Sequence, residues 1–273
     1  MMQVRAKRSL GQNFLRDSLF VDRIVRELNL TDTDTVFEIG PGQGALTAEL
    51  VENAGRVIAI EFDRDMIAIL NERFRSYKNF KLIKADALAV DFAELLGNAE
   101  PKKRAKLVAN LPYNISTPIL QRLIDQRQIF SEIVLMFQRE VVERITAPAG
   151  GKNRGFLSVL VEDAFETECL FDVPPGAFLP VPKVWSGVVR LRPKTLTQDN
   201  YDLFRKVVSS SFAQKRKTML NNLKRTIENA DHILSRSGIE ANRRAETLTL
   251  EEWSSLTRTI GTSEIARAKK EIV

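Results

Sequence analysis

Cysteine and histidine are nearly absent from this chain of 273 residues, which has one of each, Cys169 and His232. A single cysteine excludes an intramolecular disulfide and fits a reducing compartment. Cys169 lies in the run Glu166-Thr167-Glu168-Cys169-Leu170-Phe171, where it reads as a half-buried strand position. With so little Cys and His, zinc clusters and Ser-His-Asp or Cys-His catalysis lack their material. The chemistry is therefore expected to need neither a metal nor an imidazole base. Long apolar runs are also missing. None exceeds five residues, as in Ile133–Phe137, against the roughly 20 that span a bilayer. No apolar segment follows Arg5, Lys7 and Arg8, so a secretory signal is not expected. The basic, acid-poor start also fits an organellar targeting segment, but the reading adopted is a soluble, cytoplasmic protein.

What is present is enough apolar material for a core, 44% of the residues. There is also an excess of base over acid, 41 to 35, giving a net charge of +6. Such a balance attracts polyanions without proving that one is bound. From Thr195 onward basic residues outnumber acidic ones 14 to 10. They cluster at Lys215-Arg216-Lys217, Lys224-Arg225 and Arg243-Arg244. Such clusters suit an RNA-binding surface or simply a solvated helical one.

Over the first two thirds, β-rich runs alternate with helical patterns, as in a parallel sheet covered on both faces. Strands are predicted at Thr35–Ile39, Arg56–Ile60, Phe80–Lys84, Lys106–Asn110 and Glu132–Phe137. Helical spacing marks residues 46–53, 63–74 and 115–127 between them. Asp17 is placed to cap an earlier helix carrying Phe20, Ile24 and Leu28 on one face. After Gln138, residues 139–146 read as a helix and 148–155 as a mobile, basic loop. Strands near Phe165–Val173 and Gly187–Leu191 flank a Pro-rich stretch and close a seven-stranded sheet with an antiparallel hairpin. Beyond Pro193 the pattern is wholly helical, with runs from about 199, 217, 231 and 250. The expected organisation is an α/β domain over 1–193 and a small α-helical domain over 194–273.

The turn Glu38-Ile39-Gly40-Pro41-Gly42-Gln43-Gly44 follows the first of these strands. Glycines there let backbone approach a ligand and aim amide donors at it. Gly40-x-Gly42-x-x-Ala45 satisfies the loose dinucleotide fingerprint, and Glu61, 21 residues past Gly40, is placed to accept from ribose hydroxyls. This fits NAD or S-adenosylmethionine, since both present a ribose diol. Asp86, in Ala85-Asp86-Ala87, is placed to accept from an adenine amine, and Phe62 to lie beside the ring. Glu38 adds negative charge beside the glycines, which disfavours a pyrophosphate and suits a sulfonium and an ammonium.

Asn110-Leu111-Pro112-Tyr113 ends the fourth predicted strand at the carboxyl edge of the sheet, where open α/β sheets bind ligands. An amine conjugated to an aromatic ring is a poor nucleophile. Attack by it needs acceptors for its hydrogens and a flat surface for its ring. The Asn110 amide oxygen and a backbone carbonyl of the turn supply the first, and Tyr113 supplies the second. Pro112 fixes the turn. Phe178, in the Pro-rich loop Phe178–Ser186, reads either as a cover for an extruded base opposite Tyr113 or as plain core.

On Lys7–Leu15, Glu38–Thr47, Asn110–Pro118, Phe178–Ser186 and Lys215–Leu223, the chain resembles the ribosomal RNA adenine dimethyltransferases. The resemblance is to the bacterial enzymes that dimethylate two adjacent adenines near the 3′ end of small-subunit rRNA. It covers almost the full length and departs in carrying a bulky Trp185 at a variable place. It implies a Rossmann-like, seven-stranded class I methyltransferase domain with a C-terminal α-helical RNA-binding domain. It implies a donor site of Asn13, Leu15, Gly40, Glu61, Asp86 and Asn110, joined by Glu38, Gly42, Phe62 and Ala87 from the reading above. It implies an adenine site of Asn110, Leu111, Tyr113 and Phe178. Lys215, Arg216, Lys217, Lys224 and Arg225 are expected to meet RNA. S-adenosylmethionine is the expected cofactor. The expected partner is small-subunit rRNA in an assembling 30S particle, met by a monomer without metal or membrane. An NAD-dependent oxidoreductase would use the same glycine turn but leaves Asn110–Tyr113 and the basic helices without a role. A non-catalytic ribosome-assembly factor would have no need of an intact Asn-Leu-Pro-Tyr.

Overall fold

Short apolar strands alternate with helices through the larger part of the chain, and three of those helices start at a capping Asp. The structure is a computed structural model describing residues 7, 11–97, 104–112, 115–195, 198 and 200–270. In chain order it contains β1 (Phe14–Leu15), α1 (Ser18–Glu27), β2 (Thr35–Ile39), α2 (Ala45–Asn53), β3 (Arg56–Glu61) and α3 (Arg64–Arg73). β4 (Phe80–Lys84), α4 (Phe92–Leu96), β5 (Ala105–Asn110), α5 (Ser116–Asp125) and β6 (Phe130–Gln138) follow. Next come α6 (Arg139–Ile145), α7 (Phe156–Ala164), β7 (Phe165–Val173), β8 (Phe178–Leu179) and β9 (Ser186–Pro193).

Seven strands form one sheet in the order β4-β3-β2-β5-β6-β9-β7. β2 to β6 pair in parallel, and β9 runs antiparallel between β6 and β7. The expected class I methyltransferase arrangement is met, including the closing antiparallel hairpin. Side chains alternate across β2 because successive residues point to opposite faces. Phe37 meets Phe92 and Phe130 edge-on at 5.3 and 6.0 Å on one side. Val36 packs with Val57, Val108 and the apolar faces of α1 and α2 on the other.

Asp17 caps α1 as expected, accepting from the Leu19 N–H at 3.0 Å, and Ile24 and Leu28 are buried. Asp63 caps α3 and Asp91 caps α4 in the same way. Sequence reasoning did not foresee the two-residue strands β1 and β8, which pair Phe14 with Leu179 and Leu15 with Phe178. Nor did it place Cys169 correctly. The thiol is exposed, because β7 is the last strand of the sheet and its register shifts between Cys169 and Phe171.

The chain divides into two compact units. One runs through Val142 and includes Phe165–Pro193; the other joins Glu143–Ala164 to the residues from Lys194 onward. The second unit contains α7 with α8 (Tyr201–Ser211), α9 (Met219–Leu223), α10 (Ala230–Arg236) and α11 (Leu250–Lys270). Residues 143–164 thus depart from the boundary expected at 193. The cause is α7, which buries Leu157, Val159, Leu160 and Val161 and so has no wide polar face to leave in water. The basic segment 148–155, expected to be mobile, is anchored through Arg154. Its fully buried guanidinium donates to the Ala147 and Leu248 carbonyls and pairs with Glu162 at 2.6 Å. Among the described residues no helix is long and apolar enough to cross a membrane, and no group of acidic, His or Cys side chains could hold a metal.

Candidate active site

The carboxyl ends of β2, β3 and β5 lie level with one another. Ile39 pairs with Ile60 on one side and Ala109 on the other, so the next residues, Gly40, Glu61 and Asn110, share the same edge. Above them is a cavity of about 280 Å³, all of it within the first unit. Its lining includes Asn13, Leu15, Glu38, Gly40, Gly42, Glu61, Phe62, Asp86, Ala87, Asn110, Leu111 and Pro112.

The glycine turn is left-handed at Gly40 and Gly42, with φ of +66° and +57°. Gly42 is needed for space as well, since a Cβ there would stand 2.9 Å from the Phe14 ring. Glu61 fastens this turn. Its Oε2 accepts from the Gly42 N–H at 3.1 Å, and its Oε1 from the N–H groups of Phe62 and Asp63 at 2.9 and 2.8 Å. Three of the roughly four acceptor positions of a carboxylate are thereby used. One remains on Oε2, so acceptance from both hydroxyls of a ribose requires the Gly42 bond to yield. Burial raises the Glu61 pKa, opposed by the three backbone donors. Phe62 projects beside it, 65% exposed at the cavity. Asp86 lines the far wall, its Oδ1 holding the Leu88 N–H at 2.9 Å.

Glu38 differs from the expectation of a standing negative charge. It is buried, accepts from the Thr47 hydroxyl at 2.6 Å, and has its pKa pushed to about 8. Burial is the main cause; the Thr47 bond opposes it and the nearby Glu61 charge adds to it. Near pH 7 it is chiefly the neutral acid, with its charge available to a cation that enters. This has a measurable consequence. An unfolded glutamate ionises near pH 4.5 but the folded one does not until about 8. Its contribution to stability is complete below pH 4.5 and is lost as pH rises through 8, at up to about 1.4 kcal/mol per pH unit. Glu38→Gln is expected to flatten that decline, and equal slopes for the two proteins in urea titrations across this range would contradict it.

Asn110 ends β5. Its Nδ2 donates to the Asn13 carbonyl at 3.2 Å, which leaves Oδ1 as the atom available to accept. The Leu111 N–H donates to the Met136 carbonyl at 3.3 Å, and the Leu111 side chain is buried. Tyr113 lies outside the described residues. Phe178 does not line the cavity. It is 3% exposed in the core cluster that holds Leu15, Ala177 and Val188, because its pairing with Leu15 turns it inward. It backs the cavity wall and does not face into the cavity.

Sequence reasoning missed the polar fastening of the residue 11–15 wall. Lys7 Nζ and Gln12 Nε2 donate to Asp63 at 2.6 and 2.8 Å, and Lys7 also pairs with Asp65. Burial opposes ionisation of Asp63, but Lys7 and Gln12 outweigh it and hold its pKa low. Lys7 opening the quoted N-terminal motif was the available signal, but its partner lay 56 residues away.

The donor set decides between cofactors. Among the described residues that line the cavity there is no Lys or Arg, while four carboxyl groups converge there, Glu38, Glu61, Asp63 and Asp86. Among these lining residues a pyrophosphate would find no cation, and the nearby Lys7 is already held by Asp63 and Asp65, whereas a sulfonium and an ammonium find acceptors. The residues present fit S-adenosylmethionine.

Comparison with known proteins agrees. A family model described as "Ribosomal RNA adenine dimethylase" matches residues 3–261. A Ribosomal RNA small subunit methyltransferase A from Saccharophagus degradans is 42% identical over 259 residues, covering 94% of this chain and 95% of that protein. One from Nitrosococcus oceani is 45% identical over 257 residues, covering 93% and 96%. The crystal structure of a dimethyladenosine transferase from Plasmodium falciparum superposes with a TM-score of 0.76 at 27% identity, covering 92% of this chain and 98% of that one. With its sheet, its cavity and its full-length match all in agreement, the chain belongs to the ribosomal RNA adenine dimethylase family.

Proposed function

We propose that this chain transfers methyl groups from S-adenosylmethionine to the N6 amines of two adjacent adenines near the 3′ end of small-subunit rRNA, giving N6,N6-dimethyladenosine. It acts as a monomer in the cytoplasm, on an assembling 30S particle. The observation that carries this reading is the convergence of Asn110, Glu61 and Phe62 on one acidic cavity at the sheet edge. The names of the relatives from Saccharophagus degradans and Nitrosococcus oceani support the small-subunit target.

When bound, S-adenosylmethionine supplies a methyl group on a positively charged sulfur. Glu61 would accept from the donor's ribose hydroxyls, Phe62 would lie beside its adenine ring and Asp86 would accept from the adenine amine. Asn13, Leu15, Gly40, Gly42 and Ala87 shape the walls, and Glu38 answers the positive charge. Oδ1 of Asn110 accepts a hydrogen of the target amine, which orients the nitrogen lone pair. Leu111 and Pro112 hold the turn, and Tyr113 offers a face to the base. Phe178 supports Leu15 from behind. A newly methylated amine is briefly cationic and strongly acidic, so water suffices to remove its proton. His232, exposed in α10, is not required. Catalysis is by positioning and electrostatics.

The second unit is the RNA-binding domain in this reading. Lys215, Arg216 and Lys217 are exposed before α9, with Lys215 Nζ donating to the Lys152 carbonyl at 3.1 Å, and Lys224 and Arg225 are exposed after it. Replacing Lys215, Arg216 and Lys217 by Glu is expected to weaken RNA binding. It should also lower the slope of log affinity against log salt by about 2–3, with cofactor affinity unaltered. An unchanged slope across a salt titration would return these residues to an ordinary solvated surface.

The whole reading is tested by incubating the chain with labelled donor and either small-subunit RNA or assembling particles, then digesting the RNA for mass spectrometry. N6,N6-dimethyladenosine at two neighbouring positions is expected. Its absence from both substrates would end the proposal.

A further inference from the structure

Residues 179–185 turn apolar side chains to water on a backbone that is held in place. Leu179, Val181, Val184 and Trp185 are 46, 63, 43 and 47% exposed. Pro182 among them is buried, and the Trp185 carbonyl accepts from the Arg139 N–H at 2.9 Å. Single exposed apolar side chains are ordinary, but four within seven residues of one loop are a concentration that marks interaction surfaces. Charge accompanies it. Lys183 is exposed in the same loop, and Arg139, half-exposed, has its guanidinium 3.5 Å from Asp172.

The loop also has a definite place. It starts at β8, whose Leu179 pairs with Phe14 of the cavity wall. It ends beside Arg139, three residues past Met136, which pairs with Asn110. It therefore runs from the wall of the cavity to the strand next to Asn110.

We propose that Trp185 is a stacking platform for a base of the RNA strand flanking the target adenine, with Lys183 and Arg139 meeting that strand's phosphates. This rests on the RNA methyltransferase reading above. An aromatic ring and Lys183 on one fixed loop, beside an Arg139 that already has Asp172 as a partner, suit a single-stranded nucleic acid better than an apolar protein surface, which would bury the Lys183 ammonium without an anion. Every base has a π-face, so the contact adds affinity and register without reading sequence. Extrusion of the target adenine breaks its stacking with its neighbour. The indole offers that neighbour a replacement.

Fluorescence gives a direct test. Trp253, the other tryptophan, is fully buried and stacked on Phe212, so a change in emission on adding RNA reports on Trp185. A single-stranded oligoribonucleotide with two adjacent adenines is expected to quench the emission of the full-length protein. Trp185→Ala should abolish the quench and raise the oligonucleotide Kd, and the KM for RNA in methyl transfer, by about 5- to 100-fold. Both kcat and donor affinity should hold. Trp185→Phe, which keeps a stacking face, should recover most of the affinity. An unquenched wild type together with an unaltered Kd in Trp185→Ala overturns the proposal. So does a Trp185→Asp protein that binds RNA normally but sediments as a monomer where the wild type sediments as a dimer, which would make the loop an interface between copies. Quenching without any methyl transfer by the wild type would instead sink the enzymatic reading and leave the platform standing.

Discussion

Asn110→Ala is expected to lower kcat for methyl transfer by about 10²–10³, the usual effect of deleting one preorganised polar group aimed at the reacting centre. Affinity for S-adenosylmethionine should change little. The Leu111 N–H bond to the Met136 carbonyl keeps the turn in place without the Asn110 side chain, and β5 is unaffected. What alanine removes is the acceptor Oδ1 and the Nδ2 bond that fixes its direction against the Asn13 carbonyl. Asn110→Asp separates the two contributions. It retains an oxygen for the amine but sets a second oxygen against the Asn13 carbonyl, so its rate should lie between alanine and wild type. Single-turnover rates with labelled donor, beside equilibrium dialysis of the donor, check both points. Wild-type kcat in the alanine variant would remove Asn110 from the mechanism.

Glu61→Ala should act on binding, raising the donor Kd by about 10²-fold, since hydrogen bonds to a charged acceptor are worth about 1.5–3 kcal/mol each. It should also cost stability. The N–H groups of Gly42, Phe62 and Asp63 all lose their acceptor, at roughly 1–3 kcal/mol for a buried donor left unpaired. Glu61→Gln distinguishes these effects. Its amide oxygen can still serve Phe62 and Asp63, but its NH2 faces the Gly42 N–H donor to donor. Donor affinity should therefore fall while most of the thermal stability is retained. Calorimetric titrations and melting curves on both variants provide the check, and a glutamine variant that binds like wild type would show that the ribose does not depend on this carboxylate.

Much of this site is legible in the sequence because its parts recur at fixed distances along a βαβ chain. The glycine turn after a β-rich run, an acid at the end of the next strand, and an Asn-Pro turn two strands later are local patterns, and each reached the same sheet edge. Protonation was not legible. Glu38 reads as a charge until the structure shows it buried beside Thr47 and near Glu61, and burial is a property of the assembled sheet. Phe178 could not be decided either. An aromatic next to two prolines reads as a ligand cover or as core, and its burial with Leu15 in the core cluster appears only in the assembled fold. Helix α7 escaped because Phe156–Ala164 is buried on nearly every side, so no polar stripe revealed a period.

The β1–β8 clip sets a constraint on how the protein matures. Phe14 and Leu15 precede every strand of the main sheet, yet their partners Leu179 and Phe178 come after six of its seven strands. A chain still being translated short of residue 179 can form most of the parallel sheet but lacks the strand that pairs with Phe14 and Leu15. Until then that wall is held by its side-chain bonds, from Lys7 and Gln12 to Asp63 and from Asn110 to the Asn13 carbonyl, and the backbone pairing is the last of these supports to be made.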